Sequence, residues 1–321
     1  MNIVVTGTAG FIGCYVASAL LQQGHSVTGI DNFNDYYSVN LKKDRHATLE
    51  KYSRYEGVSM DLCDYEGLGE IFSRTRPELV CHLAAQAGVR YSLTHPFVYQ
   101  RSNMEAFLNM LEACRHAEPV PRLVYASSSS VYGGNTKLPF SESDPVDTPV
   151  SLYAASKKSN ELMAHTYTHL YGIQTIGLRF FTVYGPWGRP DMAMWLFTEA
   201  MLEGRAIDVF NYGKMRRDFT YIDDITEGVL AALFNRNLEA YEILNLGNNR
   251  PEELLDMIHG IAEELNVEPQ MNMLPIQPGD VPATYADITR SRGKLGYEPK
   301  TPISEGIPTF VRWYKHYHGI D

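Results

Sequence analysis

The sequence predicts an α/β protein built on a doubly wound parallel sheet, with a smaller α/β lobe toward its C-terminal end. Three observations predict it. Short apolar runs of strand length alternate with helical patterns through residue 180. The first strand–helix junction carries Gly7, Gly10 and Gly13. Beyond about residue 185, prolines from Pro186 to Pro282 break the rhythm into shorter elements.

The elements follow in order. "NIVVTG" (2–7) is a buried-strand pattern, and "FIGCYVASALLQQG" (11–24) has helical periodicity ending at Gly24. Further strands are expected at 26–31, 57–61, 78–85, 122–129 and 174–180, with helices at 64–75, 96–117 and 153–171. In the later part, "MWLFTEAMLEG" and "PEELLDMIHGIAEEL" read as helices, "IDVFN" and "FTYI" as short strands. "YEILNLGN" (241–248) reads as one more strand of the main sheet, so the lobes interleave. The expected division is residues 1–180, with returning segments near 214–248, and a second lobe mainly over 181–321.

Bulk composition bounds the function. The 321 residues are 44% hydrophobic and 21% charged, enough to bury a full core. A net charge of −10 argues against nucleic-acid and anionic-membrane partners, though not against an anionic small ligand in a local basic pocket. Cys14, Cys63, Cys81 and Cys114 form no CxxC pair and read as reduced thiols; no metal ion is called for. Met1 leads directly into a strand, and no apolar run approaches the ~18 residues of a membrane span. A cytoplasmic protein is expected.

In "VVTGTAGFIG" the glycines let the backbone turn tightly and approach a pyrophosphate whose charge sits on the helix N-terminus. A glycine triplet alone could be a plain turn. Here it stands at the first βα junction, and Asp31 ends the second strand 18 residues after Gly13. A carboxylate there bonds ribose hydroxyls and repels a 2′-phosphate, so a Rossmann-type domain binding NAD rather than NADP is expected. Asp61, ending the third strand, is a candidate for the adenine edge.

Tyr153 and Lys157 stand four apart in "SLYAASKKSN". With 21 tyrosines in the chain, roughly 0.65 such pairs arise by accident, so spacing decides nothing. Context decides. "YASSSSVYGG" ends a strand at the carboxyl edge of the sheet, where doubly wound folds bind ligands. A phenol of pKa ≈ 10 is too weak a base at neutral pH; a lysine one turn on and a cationic nicotinamide would favour the phenolate. Tyr153 is then the proton acceptor, and a serine hydroxyl binds the developing carbonyl oxygen.

Together "TGxxGFIG", "HLAAQ", "SSSSVYG" and "YxxxK" resemble the extended short-chain dehydrogenase/reductase family, in particular its nucleotide-sugar epimerase branch. The resemblance covers essentially the whole chain. It implies Ser128 as the catalytic serine, with Ser129 and Ser130 left open as neighbours. It also implies a cofactor site that adds Phe11 and Ile12, Asn32 beside Asp31, Leu62 beside Asp61, and Ala84 in the loop under the cofactor. Asn103 matches a residue near the nicotinamide. Relatives pair as homodimers through two helices, here 96–117 and 153–171.

Specificity resides in residues 178–213, which resemble the UDP-glucuronate 4-epimerases, with Thr182 where galactose enzymes carry Asn. A hexuronate carboxylate calls for a cation. The resemblance assigns Arg189 of "GPWGRPD" to it, with Arg90 as a second candidate. It further implies that Arg217 contacts the diphosphate and that Gln277 replaces a second phosphate arginine. Asp280 is either a uridine-ribose ligand or a plain acidic turn.

The reading is reversible C4 epimerisation of UDP-glucuronate through a 4-keto sugar, with resident NAD taking and returning the hydride. Rivals are a UDP-glucose or UDP-N-acetylglucosamine 4-epimerase, and a UDP-glucuronate decarboxylase. A 4,6-dehydratase normally needs an Asp-Glu pair that "SSSSVYG" lacks. A rival of another class is a non-catalytic NAD-sensing protein, which could lose Ser, Tyr and Lys at no cost.

Overall fold

A computed structural model describes residues 1–277 and 281–320. The first half runs β1 (Asn2–Thr6), α1 (Phe11–Gln22), β2 (Ser26–Asp31), α2 (Val39–Leu49), β3 (Tyr55–Ser59), α3 (Tyr65–Thr75) and β4 (Leu79–His82). Two short turns, α4 (Tyr91–Thr94) and α5 (Pro96–Tyr99), lead through a π-helical stretch, Gln100–Glu105, into α6 (Ala106–His116). Then come β5 (Arg122–Ser128), α7 (Leu152–Tyr171) and β6 (Thr175–Phe180). The remainder is β7 (Thr182–Tyr184), α8 (Ala193–Leu202), β8 (Ile207–Val209), β9 (Arg216–Tyr221), α9 (Ile222–Phe234) and β10 (Tyr241–Leu246). It closes with β11 (Pro251–Glu253), α10 (Leu254–Leu265), β12 (Met271–Met273), β13 (Ala283–Thr284), α11 (Thr289–Leu295) and α12 (Ile303–His318).

Seven strands form one sheet in the order β10-β6-β5-β4-β1-β2-β3, every pairing parallel. The order reverses between β1 and β4, which opens a crevice at the carboxyl ends of the strands. Alternation along β1 shows how the sheet is covered on both faces. Ile3 and Val5 pack with Val16 and Leu20 of α1, whereas Val4 packs with Phe72 of α3 and Phe107 of α6. Each such fully buried aliphatic contributes about 1.5–3 kcal/mol. A third cluster joins Trp195 of α8, Met257 and Ile258 of α10, and Phe310 and Tyr314 of α12 around the small sheets of the second lobe.

Two helix ends matter for the site. The Ser151 side chain accepts from the Ala154 backbone N–H and starts α7, and Gly172, in the left-handed region, ends it. Helix α1 begins at Gly10 with neither a side-chain cap nor an acidic residue in its first turn, leaving its first N–H groups open to an anion.

The structure corrects several elements. The helix expected over 96–117 is interrupted, because Asn103 bonds its side chain to the Gln86 backbone at 2.7 and 3.0 Å and the chain bulges there. The strand expected over 78–85 stops at His82, and residues 83–87 leave the sheet. "FTYI" closes a longer strand, β9, and its Ile222 opens α9. Helices α2, α9, α11 and α12 were not foreseen.

Candidate active site

The crevice at the switch point is a cavity. Its floor is the glycine loop. Gly7 has φ +75°, and a Cβ there would meet the Ala84 backbone nitrogen at 2.9 Å. A Cβ on Gly13 would lie 2.0 Å from the Gly7 carbonyl oxygen. Both positions therefore require glycine. Phe11, Ile12, Gly10 and Gly13 line this floor below the open end of α1. Asp31 accepts the Ala9 N–H at 3.0 Å and the Phe33 N–H at 2.8 Å, so its carboxylate is fixed at the end of β2. Asn32, Asp61, Leu62 and Ala84 line the same end of the cavity. A bare backbone cradle, an uncapped helix start and a fixed carboxylate fit a dinucleotide.

The other end holds the residues expected to transfer the proton. Tyr153, Lys157 and Ser128 all line the cavity. Lys157 is only 3% exposed, its Nζ donates to the Ala126 carbonyl oxygen at 2.9 Å, and burial pushes it down to about 8. Burial pushes the Tyr153 phenol up; a hydrogen bond to Ser128 and the charge of Arg189 work against that rise, and Asp191 adds to it. Ser128 and Arg189 are thus the phenol's acidifying neighbours here. The serine run also divides by role. Ser127 donates to Glu161 at 2.7 Å, within the buried Glu161–Arg179 ion pair, and is a structural residue. Ser128, whose Oγ donates to Ser130 Oγ at 3.1 Å, is the serine that acts on the phenol. Asn103 accepts the Gln86 N–H and bonds Ser156, bracing the cavity wall against α7.

Arg189 enters the cavity from the loop between β7 and α8. Its Nε donates to Asp191 Oδ1 at 3.0 Å, its Nη2 donates to Asp191 Oδ2, and Tyr36 donates to the same Oδ2 at 2.8 Å. Burial opposes the charge on both partners, but each holds the other ionised: Arg189 lies above its ordinary range and Asp191 below.

The remaining expected residues lie outside this lining. Thr182 is flanked by Phe181 and Val183, which do form the wall. Ser129 opens the turn after β5. Arg217, on β9, donates to the Arg216 and Pro282 carbonyls, and exposed Arg90 stacks 5.1 Å from the Phe210 ring. Gln277 follows β12 in the coil, and Asp280 lies outside the described residues. No group of three or more His, Cys, Asp or Glu able to hold a metal occurs among the described residues.

Helix α2 and the loop before it supply residues that sequence reasoning missed. Lys42 and Tyr36 line the cavity, and Lys42 Nζ bonds the Asn34 carbonyl and side-chain oxygens at 2.6 Å. Arg45, fully buried, makes five hydrogen bonds, to Ala9 O, Tyr37 Oη, Gly188 O and twice to Trp187 O. None of these acceptors is a carboxylate, and no ion pair involves Arg45 among the described residues. The one available signal was "DYYSVNLKKDR" (35–45), which places Lys42, Lys43 and Arg45 together shortly after Asp31.

The chain resembles known proteins over its full length. It is 47% identical to UDP-glucuronate 4-epimerase 4 of Arabidopsis thaliana, over 100% of this chain and 77% of that protein. Protein CapI of Staphylococcus aureus is 48% identical over 99% of both chains. The crystal structure of UDP-glucuronic acid 4-epimerase from Bacillus cereus, in complex with UDP-glucuronic acid and NAD, superposes with a TM-score of 0.93 at 34% identity, covering 99% of this chain and 100% of that one. Residues 3–247 match the NAD dependent epimerase/dehydratase family, and with the glycine cradle, the fixed Asp31 and the Tyr153–Lys157 pair in one crevice, the chain belongs to that family.

Proposed function

We propose that the protein interconverts UDP-glucuronate and UDP-galacturonate by inverting C4, with NAD as a resident cofactor. The observation that carries this reading is Arg189, a cation standing in the same cavity as Tyr153 and acting on its phenol. A hexuronate puts a carboxylate one carbon from the reacting C4, and Arg189 is a partner for it. The likeness to UDP-glucuronate 4-epimerases over the whole chain supports the same substrate.

The glycine loop, the start of α1 and Asp31 would hold NAD, with Lys157 at its reactive end. When bound, NAD supplies a reversible hydride acceptor. Tyr153 takes the proton of the C4 hydroxyl, and the Ser128 hydroxyl donates to that oxygen as it becomes a carbonyl. Lys157 is held by the Ala126 carbonyl one turn along α7 from Tyr153, at the end of the cavity where the reactive end of NAD would lie. Ser128 and Arg189, rather than Lys157, are the neighbours that favour the phenolate. Reduction on the opposite face of the turned sugar inverts C4 with no net redox change. The intermediate is a β-keto acid, and Arg189 keeps its carboxylate out of the orientation that would release CO₂.

Residues 1–180 with returning β10 serve the cofactor in this scheme, and residues 181–321 serve the nucleotide sugar. We infer a homodimer as well: exposed Phe97, Leu108, Leu162, Leu170 and Tyr171 crowd the helices that the fold leaves uncovered on one side. No described helix is long and apolar enough to cross a membrane, and the four cysteines are free thiols, which supports a cytoplasmic site of action.

The test is to incubate the purified protein, without added NAD, with UDP-glucuronate and follow products by proton NMR. UDP-galacturonate alone is expected. A UDP-pentose with CO₂ would make it a decarboxylase. Turnover of UDP-glucose or UDP-N-acetylglucosamine alone would make Arg189 incidental, and inertness toward all three would leave an NAD sensor.

A further inference from the structure

An arginine fork can bind a carboxylate along the Nε–Nη2 edge or end-on across Nη1 and Nη2. In Arg189 the first edge is taken: Nε and Nη2 both donate to Asp191. Nη1 carries no hydrogen bond among the described residues, although Arg189 lines the cavity. Asp191 is itself held. Tyr36 reaches it from a loop 155 residues earlier in the chain, and the Tyr36 ring packs 4.8 Å from that of Tyr91. The Arg189 backbone is fixed from the other side, because Arg45 grips the carbonyls of Trp187 and Gly188 just before it. Neither backbone nor fork is left to rotate.

We propose that Asp191 is a positioning residue that sets the sugar specificity: it occupies the Nε–Nη2 edge of Arg189, so that the end-on edge is the one offered beside Tyr153 to the sugar carboxylate. This rests on the uronate reading. Asp191 also makes the resting site electrically neutral at this point. A hydroxymethyl group on the sugar then meets a saturated ion pair and gains little, whereas a carboxylate gains two charge-assisted bonds already aimed at it. Tyr36 is the brace of the array, and Tyr153 feels its two charges with opposite sign.

The test compares the wild type with Asp191→Asn and Asp191→Glu, each loaded with NAD. Asp191→Asn should lower kcat/KM for UDP-glucuronate by about 10–100-fold while the Ki of UDP-glucose as a competitor stays within about threefold. Asp191→Glu, which restores a carboxylate, should recover part of the loss. A second readout excludes a merely structural effect. Tyr153 is faced by Ser128 at the end of β5, Tyr99 of α5, Arg189 and Asp191 of the β7–α8 loop, and Lys157 one turn along α7. Removing the Asp191 charge should therefore move the acidic limb of the kcat/KM profile to lower pH. Equal losses toward both sugars, no loss, or an unmoved limb would overturn the proposal while the epimerase reading stood. A wild type that turned over UDP-glucose and ignored UDP-glucuronate would remove both.

Discussion

Gly13 packs so closely beneath Gly7 that a methyl group on its α-carbon would sit 2.0 Å from the Gly7 carbonyl oxygen. Gly13→Ala must push the cofactor loop away from α1, at a cost of about 1–3 kcal/mol. The purified variant should carry little NAD, measured by releasing nucleotide with acid and quantifying it by chromatography. Gly69, in α3, has no atom within 4 Å of such a methyl, and Gly69→Ala should retain NAD and full activity.

Tyr153→Phe keeps the ring and its contact with Tyr99 but removes the proton acceptor. Turnover of UDP-glucuronate should fall by about 10²–10⁴-fold. NAD content and thermal midpoint should match the wild type. A variant that stays active would transfer the proton-accepting role elsewhere in the cavity.

His82 ends β4, fully enclosed, 3.0 Å from Thr6 Oγ1. Burial, reinforced by the charge of Lys157, pushes it down to about 3 from an ordinary value of 6.5. The folded protein thus keeps the ring neutral where the unfolded chain protonates it. The sign follows: below 6.5 the unfolded state binds the extra proton, and stability drops as pH falls, until the folded group titrates near 3. The contribution is about 1.4 kcal/mol per pH unit. Urea unfolding between about pH 7 and about pH 5 should show a shallower pH dependence in His82→Gln than in the wild type.

The legible part of this site is the part that local sequence builds. Glycines at a βα junction, an acid ending β2, serines ending β5 and a Tyr-Lys pair in the first turns of a helix each declare their position through neighbours in the chain. All of them line one crevice because a parallel sheet gathers its carboxyl ends. Arg189 was legible for a different reason, through resemblance of its loop to a family. What stayed hidden depends on contacts across the fold. Tyr36 meets Asp191 at a separation of 155 residues, and Arg45 meets Trp187 at 142. Helix α2 itself was missed because "VNLKKDRHATL" buries Lys42 and Arg45 beside Leu41 and Leu49, so no apolar stripe marks its inner face. The same holds for the break in the 96–117 helix, which follows from Asn103 bonding a segment 17 residues earlier.

The five bonds of Arg45 have a consequence for motion. A guanidinium stays charged at any physiological pH, and this one is fully enclosed, so releasing any of its neutral acceptors would leave a donor of a buried cation unmatched. Ala9 of the cofactor loop and Trp187 and Gly188 of the sugar loop are therefore pinned to a common axle. The two loops share this one anchor. Epimerisation requires the hexose ring to present first one face and then the other to the same hydride carrier, and parting this seam to allow it would cost the bonds of a buried cation. On the proposed function, the half-turn falls to the substrate itself rather than to the loops that flank it.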